Sequence, residues 1–278
     1  MINIDEILYD YYVENKSTTE IAIKNNVSRW TITDRIKKTG RDLRSKTCRL
    51  SRKKYHLDET ILDKIDVTTA WIIGWFLSDG FIIKDNVFGL VVSRKDKDVL
   101  DSIKTIFKYD GPIKEYENYL KKTNKKYKVS QFKSNSRKIV GKLKSFGVKN
   151  KKSQKEKFPK VISETKDENI IRSFIKGFFE GDGSLLFYPK KNTFTFQIVG
   201  TSEVLKAIQN YLIYYLGLKK TKLTRYKKSK NHYALRYAGR FQALKIADWL
   251  YCDPTLKLNR KYNKYLELKK YVEEKCKA

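Results

Sequence analysis

The chain has 278 residues, of which 61 are Lys or Arg and 31 are Asp or Glu, giving a formal net charge of +30 at neutral pH. Apolar residues at 40% and aromatics at 13% are enough to build packed cores, so wholesale disorder is excluded, and so large a positive excess calls for a polyanionic partner. No apolar run approaches the roughly 20 residues of a membrane span; three scattered cysteines suggest neither a disulfide framework nor a Cys-rich zinc site, and with only His56 and His232 a zinc site built on several histidines is excluded. The opening MINIDEILYDYY lacks the basic start and apolar stretch of a signal peptide. No convincing amphipathic anchor helix is present either. The expectation is a soluble intracellular protein that binds nucleic acid and not membrane, in a cytoplasm, nucleoid, phage-infected cell or organelle matrix.

Residues 1–40 read as three short helices. The first spans about Ile4 to Glu14, with Ile7, Leu8, Tyr11 and Tyr12 on one side. Ser17-Thr-Thr-Glu20 is a capping box opening the second, which carries Ile21 and Ala22 inward. Asn25-Asn26 breaks the chain, Ser28 caps a third helix through about Lys38, and Gly40 stops it. This is a helix-turn-helix pattern, in which Arg29, Trp30, Thr31, Thr33, Asp34 and Lys37 would present to a major groove. The plainer alternative is a three-helix packing module with a solvated face.

Residues 41–66 read as a basic linker. Over Arg41 to Lys54, Arg41, Arg44, Lys46, Arg49, Arg52, Lys53 and Lys54 stand against the single acid Asp42, a tether able to track phosphates, with a merely solvated linker as the alternative.

Two later segments resemble each other. Trp71-Ile-Ile-Gly-Trp-Phe-Leu-Ser-Asp-Gly80 and Phe174-Ile-Lys-Gly-Phe-Phe-Glu-Gly-Asp-Gly183 align with Gly74, Asp79 and Gly80 each 103 residues before Gly177, Asp182 and Gly183. Each copy runs on into strand-like sequence (Phe88 to Val92; Phe194 to Val199), a helix (Asp98 to Ile103; Glu203 to Ile208), further strand-like runs (Tyr127 to Phe132; Tyr233 to Tyr237) and a second helix (about Arg137 to Phe146; Phe241 to Tyr251). Each half therefore reads αββαββα, and the halves are placed at 67–160 and 161–278. A repeat this long means two similar half-domains, not a solenoid.

The repeated segment is apolar almost throughout, so its helix is buried on most sides. Small residues recur four apart, Gly74 with Ser78 and Gly177 with Gly181, which lets two such helices pack with their backbones close. Each helix then ends in Asp-Gly. Gly suits that position, but a carboxylate beside the negative end of a helix does not. Two of them brought together are costly unless cations sit there, and hard divalent cations fit oxygen ligands, Mg²⁺ above all with Mn²⁺ as a substitute. A single Asp-Gly would be an ordinary turn; the pair, in so basic a chain, points to a metal site.

These residues resemble the two motifs of a single-chain LAGLIDADG homing endonuclease, Ile72 to Gly80 and Ile175 to Gly183 filling the nine places of each. The likeness runs from about Val67 to the C-terminus, and Gly147 to Ser153 with Phe158-Pro159, and Asp248 to Tyr251 with Leu258, Arg260 and Tyr262, resemble the closes of the two halves. The resemblance implies an α+β fold of two pseudo-symmetric halves, whose motif helices form the interface and whose antiparallel sheets make a saddle over the major groove. It implies metal coordination by Asp79 and Asp182 with the backbone carbonyls of Ser78 and Gly181 nearby, and a double-strand break with short 3′ overhangs. It further implies a monomer on a long asymmetric DNA target.

The earlier acidic place of the motif is Leu77 in one copy and Glu180 in the other; Glu180 reads as a plain helix-end charge, with a group supporting the metal-holding residues from behind as the alternative. A basic residue on the floor of each site is expected at Lys133 in the first half and Arg240 in the second, with an ordinary phosphate contact as the alternative for either. Base readers should alternate along the strands. The candidates are Lys84, Asn86, Ser93 and Arg94, then Tyr188, Lys190, Lys191, Asn192 and Gln197. The acid-free run Lys219 to Lys230, with Arg225, Lys227 and Lys228, reads as a phosphate-gripping hairpin or loop. Two competing functions share these features: a DNA-binding regulator that does no chemistry, and an intron RNA maturase. Both Asp79 and Asp182 are retained, which favours the nuclease. An intein is disfavoured, since the chain does not start with Cys or Ser and lacks a terminal His-Asn.

Overall fold

The computed structural model describes residues 3–44, 55–120, 124–149, 156–191, 193–226 and 231–277. The chain divides into two compact units, Met1–Lys54 and Tyr55–Ala278.

The first unit is built from α1 (Ile4–Tyr12), α2 (Thr18–Lys24) and α3 (Arg29–Lys38). Short polar side chains start each helix. Asn3 accepts from the Asp5 amide, Ser17 and Glu20 form the reciprocal box at 3.1 and 2.6 Å, and Ser28 accepts from the Thr31 amide at 3.1 Å. Ile7, Tyr11, Ile21, Ala22, Ile32 and Ile36 meet in a small core. Buried Asp10 receives Lys16 Nζ at 2.6 Å and Lys24 Nζ at 2.8 Å. These bonds hold its carboxyl below the usual carboxylate range.

The second unit begins with α4 (Val67–Ser78), capped by Asp66, and passes through β1 (Gly80–Ile83), β2 (Val87–Ser93), α5 (Lys97–Ile106), β3 (Lys114–Leu120), β4 (Lys125–Asn135) and α6 (Arg137–Ser145). The short α7 (Lys160–Ser163) leads to α8 (Glu168–Asp182). Then come β5 (Gly183–Tyr188), β6 (Thr193–Gly200), α9 (Ser202–Leu216), β7 (Thr224–Arg225), β8 (Tyr233–Ala238) and α10 (Arg240–Leu250). Helix α11 (Asn259–Lys277) closes the chain and has no sequence-based counterpart above. The αββαββα order is present twice, from α4 and from α8. The two four-stranded sheets are antiparallel, with matching orders β1-β2-β4-β3 and β5-β6-β8-β7.

One continuous core joins both halves of this unit. At its centre α4 crosses α8 with main chain against main chain. A Cβ on Gly74 would lie 2.4 Å from the Phe174 carbonyl oxygen, and one on Gly177 would lie 2.2 Å from that of Trp71. Ser173 Oγ adds a bond to the Val67 carbonyl at 2.7 Å. One face of each sheet packs on the helices, through Phe88, Leu90 and Phe132 in the first and Phe196, Ile198 and Leu235 in the second. Alternation turns the other face outward. Among the described residues no helix is long and apolar enough to cross a membrane.

Candidate active site

Because α4 and α8 cross so closely, their C-terminal ends arrive side by side. A Cβ on Gly181 would overlap Ser78 Oγ and lie 2.9 Å from Asp79 Oδ2, so only glycine fits there and the first motif's carboxylate rests against the second motif's backbone. Asp79 closes α4 and Asp182 is the last residue of α8. Each is followed at once by the first strand of its sheet, β1 from Gly80 and β5 from Gly183. Ser78 Oγ donates to the Trp75 carbonyl at 3.1 Å, and both aspartates have interactions of their own. Asp79, Asp182 and nearby backbone carbonyls are hard oxygen donors of the kind Mg²⁺ takes. Among the described residues no group of three or more His, Cys, Asp and Glu gathers, so two carboxylates and main-chain oxygens are what this end of the molecule offers a cation.

Glu180 is not a plain helix-end charge. It is buried, with Oε2 accepting from Trp71 Nε1 at 2.8 Å and Trp75 Nε1 at 3.3 Å, and Oε1 accepting from the Leu258 amide at 2.9 Å. Burial raises its pKa, against those bonds and the charges of Lys176 and Lys261. It ties two indoles of α4 to α8 and to the chain entering α11. Nearby Lys176 is also buried and donates to the Asp253 carbonyl at 2.8 Å, and burial lowers its pKa.

Lys261, to which sequence reasoning gave no role, lies under the second motif's end. Its Nζ is 2.8 Å from the Phe179 carbonyl, 2.6 Å from that of Glu180, 3.4 Å from that of Gly181 and 2.6 Å from that of Gly183. Burial lowers its pKa to about 8, helped by Arg260, while Glu180, Asp79 and Asp182 pull the other way. A lone lysine in so basic a chain carries no sequence signal.

The strand registers fix where Lys133 lies and which second-half residue matches it. Phe81, two residues after Asp79, pairs with Gly89, which pairs with Lys133. Ser184, two residues after Asp182, pairs with Gln197, which pairs with Arg236. Arg236, not Arg240, thus occupies the ladder position of Lys133. Arg240 instead starts α10, its guanidinium 4.9 Å from the Phe241 ring. Lys133 and Arg236 are both exposed on the outward faces, and Arg236 Nε donates to Gln197 Oε1 at 2.5 Å.

The remaining candidates divide. Gln197 and Ser93 lie on the outward faces as expected. Lys84 and Asn86 lie in the β1–β2 turn, and Lys190 and Lys191 lie in a 3₁₀ turn that follows β5, so all four stand off the strands near hairpin tips. Arg94 does not lie on a strand. It sits in a 3₁₀ turn after β2 and pairs with Glu115 at 3.0 Å, on the helix side of the sheet, where Lys97 also reaches Glu115. Arg225 shares its ladder position with Tyr233, on the opposite face from Gln197. The outward residues missed by sequence include Lys114, Asn118, Gln131 and Asn135 in the first half and Ser184 and Thr195 in the second.

In the first unit, Trp30 is 73% exposed and Arg29 and Lys37 are exposed with it, while Thr31 and Thr33 spend their hydroxyls on Ser28 and the Arg29 carbonyl. Arg44 is not a free phosphate contact. Its guanidinium lies 3.8 Å over the Tyr11 ring and donates to Asn15 Oδ1 and the Lys16 carbonyl, so it closes its own unit. Arg49, Arg52, Lys53, Asn192, Lys227 and Lys228 lie outside the described residues.

No protein-family model matches the sequence, and a search of curated proteins finds no match. Among solved structures the chain is similar to the homing endonuclease I-WcaI bound to its DNA recognition sequence, at 15% identity and a TM-score of 0.53, over 81% of this chain and 95% of that one. It is also similar to the I-SmaMI LAGLIDADG homing endonuclease bound to cleaved DNA (15% identity, TM-score 0.47, 74% and 88% of the two chains) and to full-length DUF199/WhiA from Thermatoga maritima (15%, 0.47, 78% and 64%). At these identities the likeness is one of fold, and it rests on the first of the three: two antiparallel four-stranded sheets with helices, in the arrangement of a DNA-bound homing endonuclease.

Proposed function

We propose that the chain is a site-specific DNA endonuclease that cuts both strands of a long asymmetric duplex target as a monomer. The observation that carries this reading is the meeting of two Asp-Gly helix ends between two outward-facing sheets, with Asp79 Oδ2 against Gly181. Asp79 and Asp182 would each hold a divalent cation, Mg²⁺ or Mn²⁺, with the Ser78 and Gly181 carbonyls close by. Such a cation supplies Lewis-acid stabilisation of the scissile phosphate and of the attacking and departing oxygens. Lys133 and Arg236, at matched ladder positions, would stabilise charge that develops on the phosphate. The outward faces would read base edges in the major groove through Gln131, Asn135, Gln197 and Thr195, with the hairpin-tip lysines on phosphates. The N-terminal unit would bind flanking DNA through the exposed face of α3, adding affinity by tethering.

The test is cleavage of randomised and genomic DNA with Mg²⁺, with Ca²⁺ as a binding-only control and the cut ends sequenced. Discrete ends with short 3′ overhangs are expected, lost in Asp79→Asn/Asp182→Asn while binding in Ca²⁺ survives. Selective DNA retention with no cutting in Mg²⁺ or Mn²⁺ would overturn the nuclease reading in favour of a regulator, and selective retention of intron RNA alone would favour a maturase. Deleting residues 1–54 should shorten the protected DNA and weaken binding without moving the cut.

A further inference from the structure

The end of α8 raises a question that the two aspartates alone do not answer. A helix C-terminus exposes carbonyls with partial negative charge, and a carboxylate there is unfavourable. Here two such ends meet, each closed by a motif aspartate. The structure already holds a positive charge at that place. Lys261 is buried, and its ammonium meets the carbonyls of Phe179, Glu180, Gly181 and Gly183, the residues that bracket Asp182. Asp79 Oδ2 rests on Gly181, whose own carbonyl is the fourth of these acceptors.

Lys261 is also held in place from the other half. Arg260 beside it makes a bidentate pair with Asp96 at 2.7 and 2.9 Å, and the Asn259 amide donates to Asp98 Oδ2 at 2.9 Å. The start of α11 is thereby fixed to the first half while Lys261 reaches into the second. An ammonium buried this deeply is costly unless compensated, so a purely packing role at this place would be better served by an apolar side chain.

We propose that Lys261 is a built-in counterion shared by the two motif carboxylates, a positioning residue that lets Asp79 and Asp182 converge before any divalent cation arrives. The proposal rests on the reading of those aspartates as cation-holding groups. Its geometric support is that the Lys261 ammonium meets the carbonyls on both sides of Asp182 and that Asp79 Oδ2 lies beside Gly181. The consequence is a division of labour: the fixed ammonium neutralises the inner, backbone side of the site, and a mobile cation serves the side open to DNA.

The test is a charge-coupling measurement on the full chain without DNA. Thermal midpoints are measured for wild type, Lys261→Met, Asp182→Asn and the double variant, each with EDTA and with Ca²⁺. A shared counterion predicts that Asp182→Asn raises the midpoint in the Lys261→Met background by several degrees more than in the wild type. It also predicts that Ca²⁺ raises the midpoint of Lys261→Met more than that of the wild type, because the divalent ion then replaces the missing charge. A lysine that only caps α8 would give additive shifts and equal Ca²⁺ responses, and that result overturns the proposal. If Lys261→Met alone does not fold, a folded double variant supports the proposal and an unfolded one overturns it. A wild type that cuts no DNA would remove the nuclease reading, while the midpoints would still decide whether Lys261 offsets the carboxylates.

Discussion

Gly177→Ala tests the helix crossing on which the candidate site depends. The added methyl would stand 2.2 Å from the Trp71 carbonyl oxygen and 3.0 Å from its carbonyl carbon. Non-bonded heavy atoms settle at about 3.5 Å, and the obstacle is main chain that cannot swing aside, so the helices must part by about 1 Å. Overpacking of this kind costs about 1–3 kcal/mol, and each kcal/mol lowers the melting midpoint of a unit this size by about 2–4 °C. A fall of roughly 2–12 °C is expected. The effect on cleavage should be larger in relative terms. A displacement of about 1 Å between Asp79 and Asp182 is expected to slow single-turnover cleavage by about 10²-fold. Gly141→Ala is the control: Gly141 lies in α6 with nothing near a Cβ, so that change should be neutral or stabilising by about 0.4–1 kcal/mol and leave cleavage alone. Circular dichroism melting and cleavage of a selected target in Mg²⁺ read both quantities. Gly177→Ala that melts with the wild type and cuts as fast would refute the reasoning, because the two motif ends would then not depend on backbone contact.

Three further outcomes follow from the geometry. Arg236→Ala should slow cleavage about 10²-fold or more by removing a charge beside the phosphate, whereas Arg240→Ala should change it little; equal effects would undo the ladder equivalence with Lys133. Glu180→Gln keeps the shape but turns an amide N–H toward donors, either the two indoles or the Leu258 amide. It should cost about 1–3 kcal/mol in urea unfolding, and an unchanged midpoint would mean the carboxylate is not needed there. The isolated N-terminal unit should lose stability in acid through Asp10. Its folded pKa lies below the unfolded value, so the contribution is complete above about pH 4 and disappears as pH falls through the folded pKa. Asp10→Asn should flatten that part of the pH–stability curve, and a curve identical to the wild type's would show that Lys16 and Lys24 do not act through Asp10.

What could be read from sequence was what local chemistry dictates. Ser17, Glu20 and Ser28 announce their helices because caps act within three residues. Gly74 and Gly177, repeated at fixed spacing, announce a close crossing because only small residues permit it. What could not be read depends on long range or on strand parity. Glu180 meets partners 105 and 109 positions away in the chain, so nothing beside it shows that it is buried. A usable hint was its place directly after Phe178 and Phe179, on a stretch of the repeat that is apolar at the matching position Leu77, where a charge needs partners. Arg236 and Arg240 are four positions apart, and only the observed pairing of β6 with β8 tells which faces outward. The pairing of Arg94 with Glu115 could not be read either, because Glu115 lies 21 positions away on β3.

The two ladders separate support from contact residue by residue. In β2 the core takes Phe88, Leu90 and Val92 and leaves Val91 outward; in β6 it takes Phe194, Phe196 and Ile198 and leaves Thr195 and Gln197 outward. Substitutions at the outward positions therefore leave the packing beneath them intact. Since the two halves lie in one chain and carry different outward residues, each surface is free to vary without matching the other. On the proposed function, such a scaffold would let target preference drift one strand position at a time without disturbing the core.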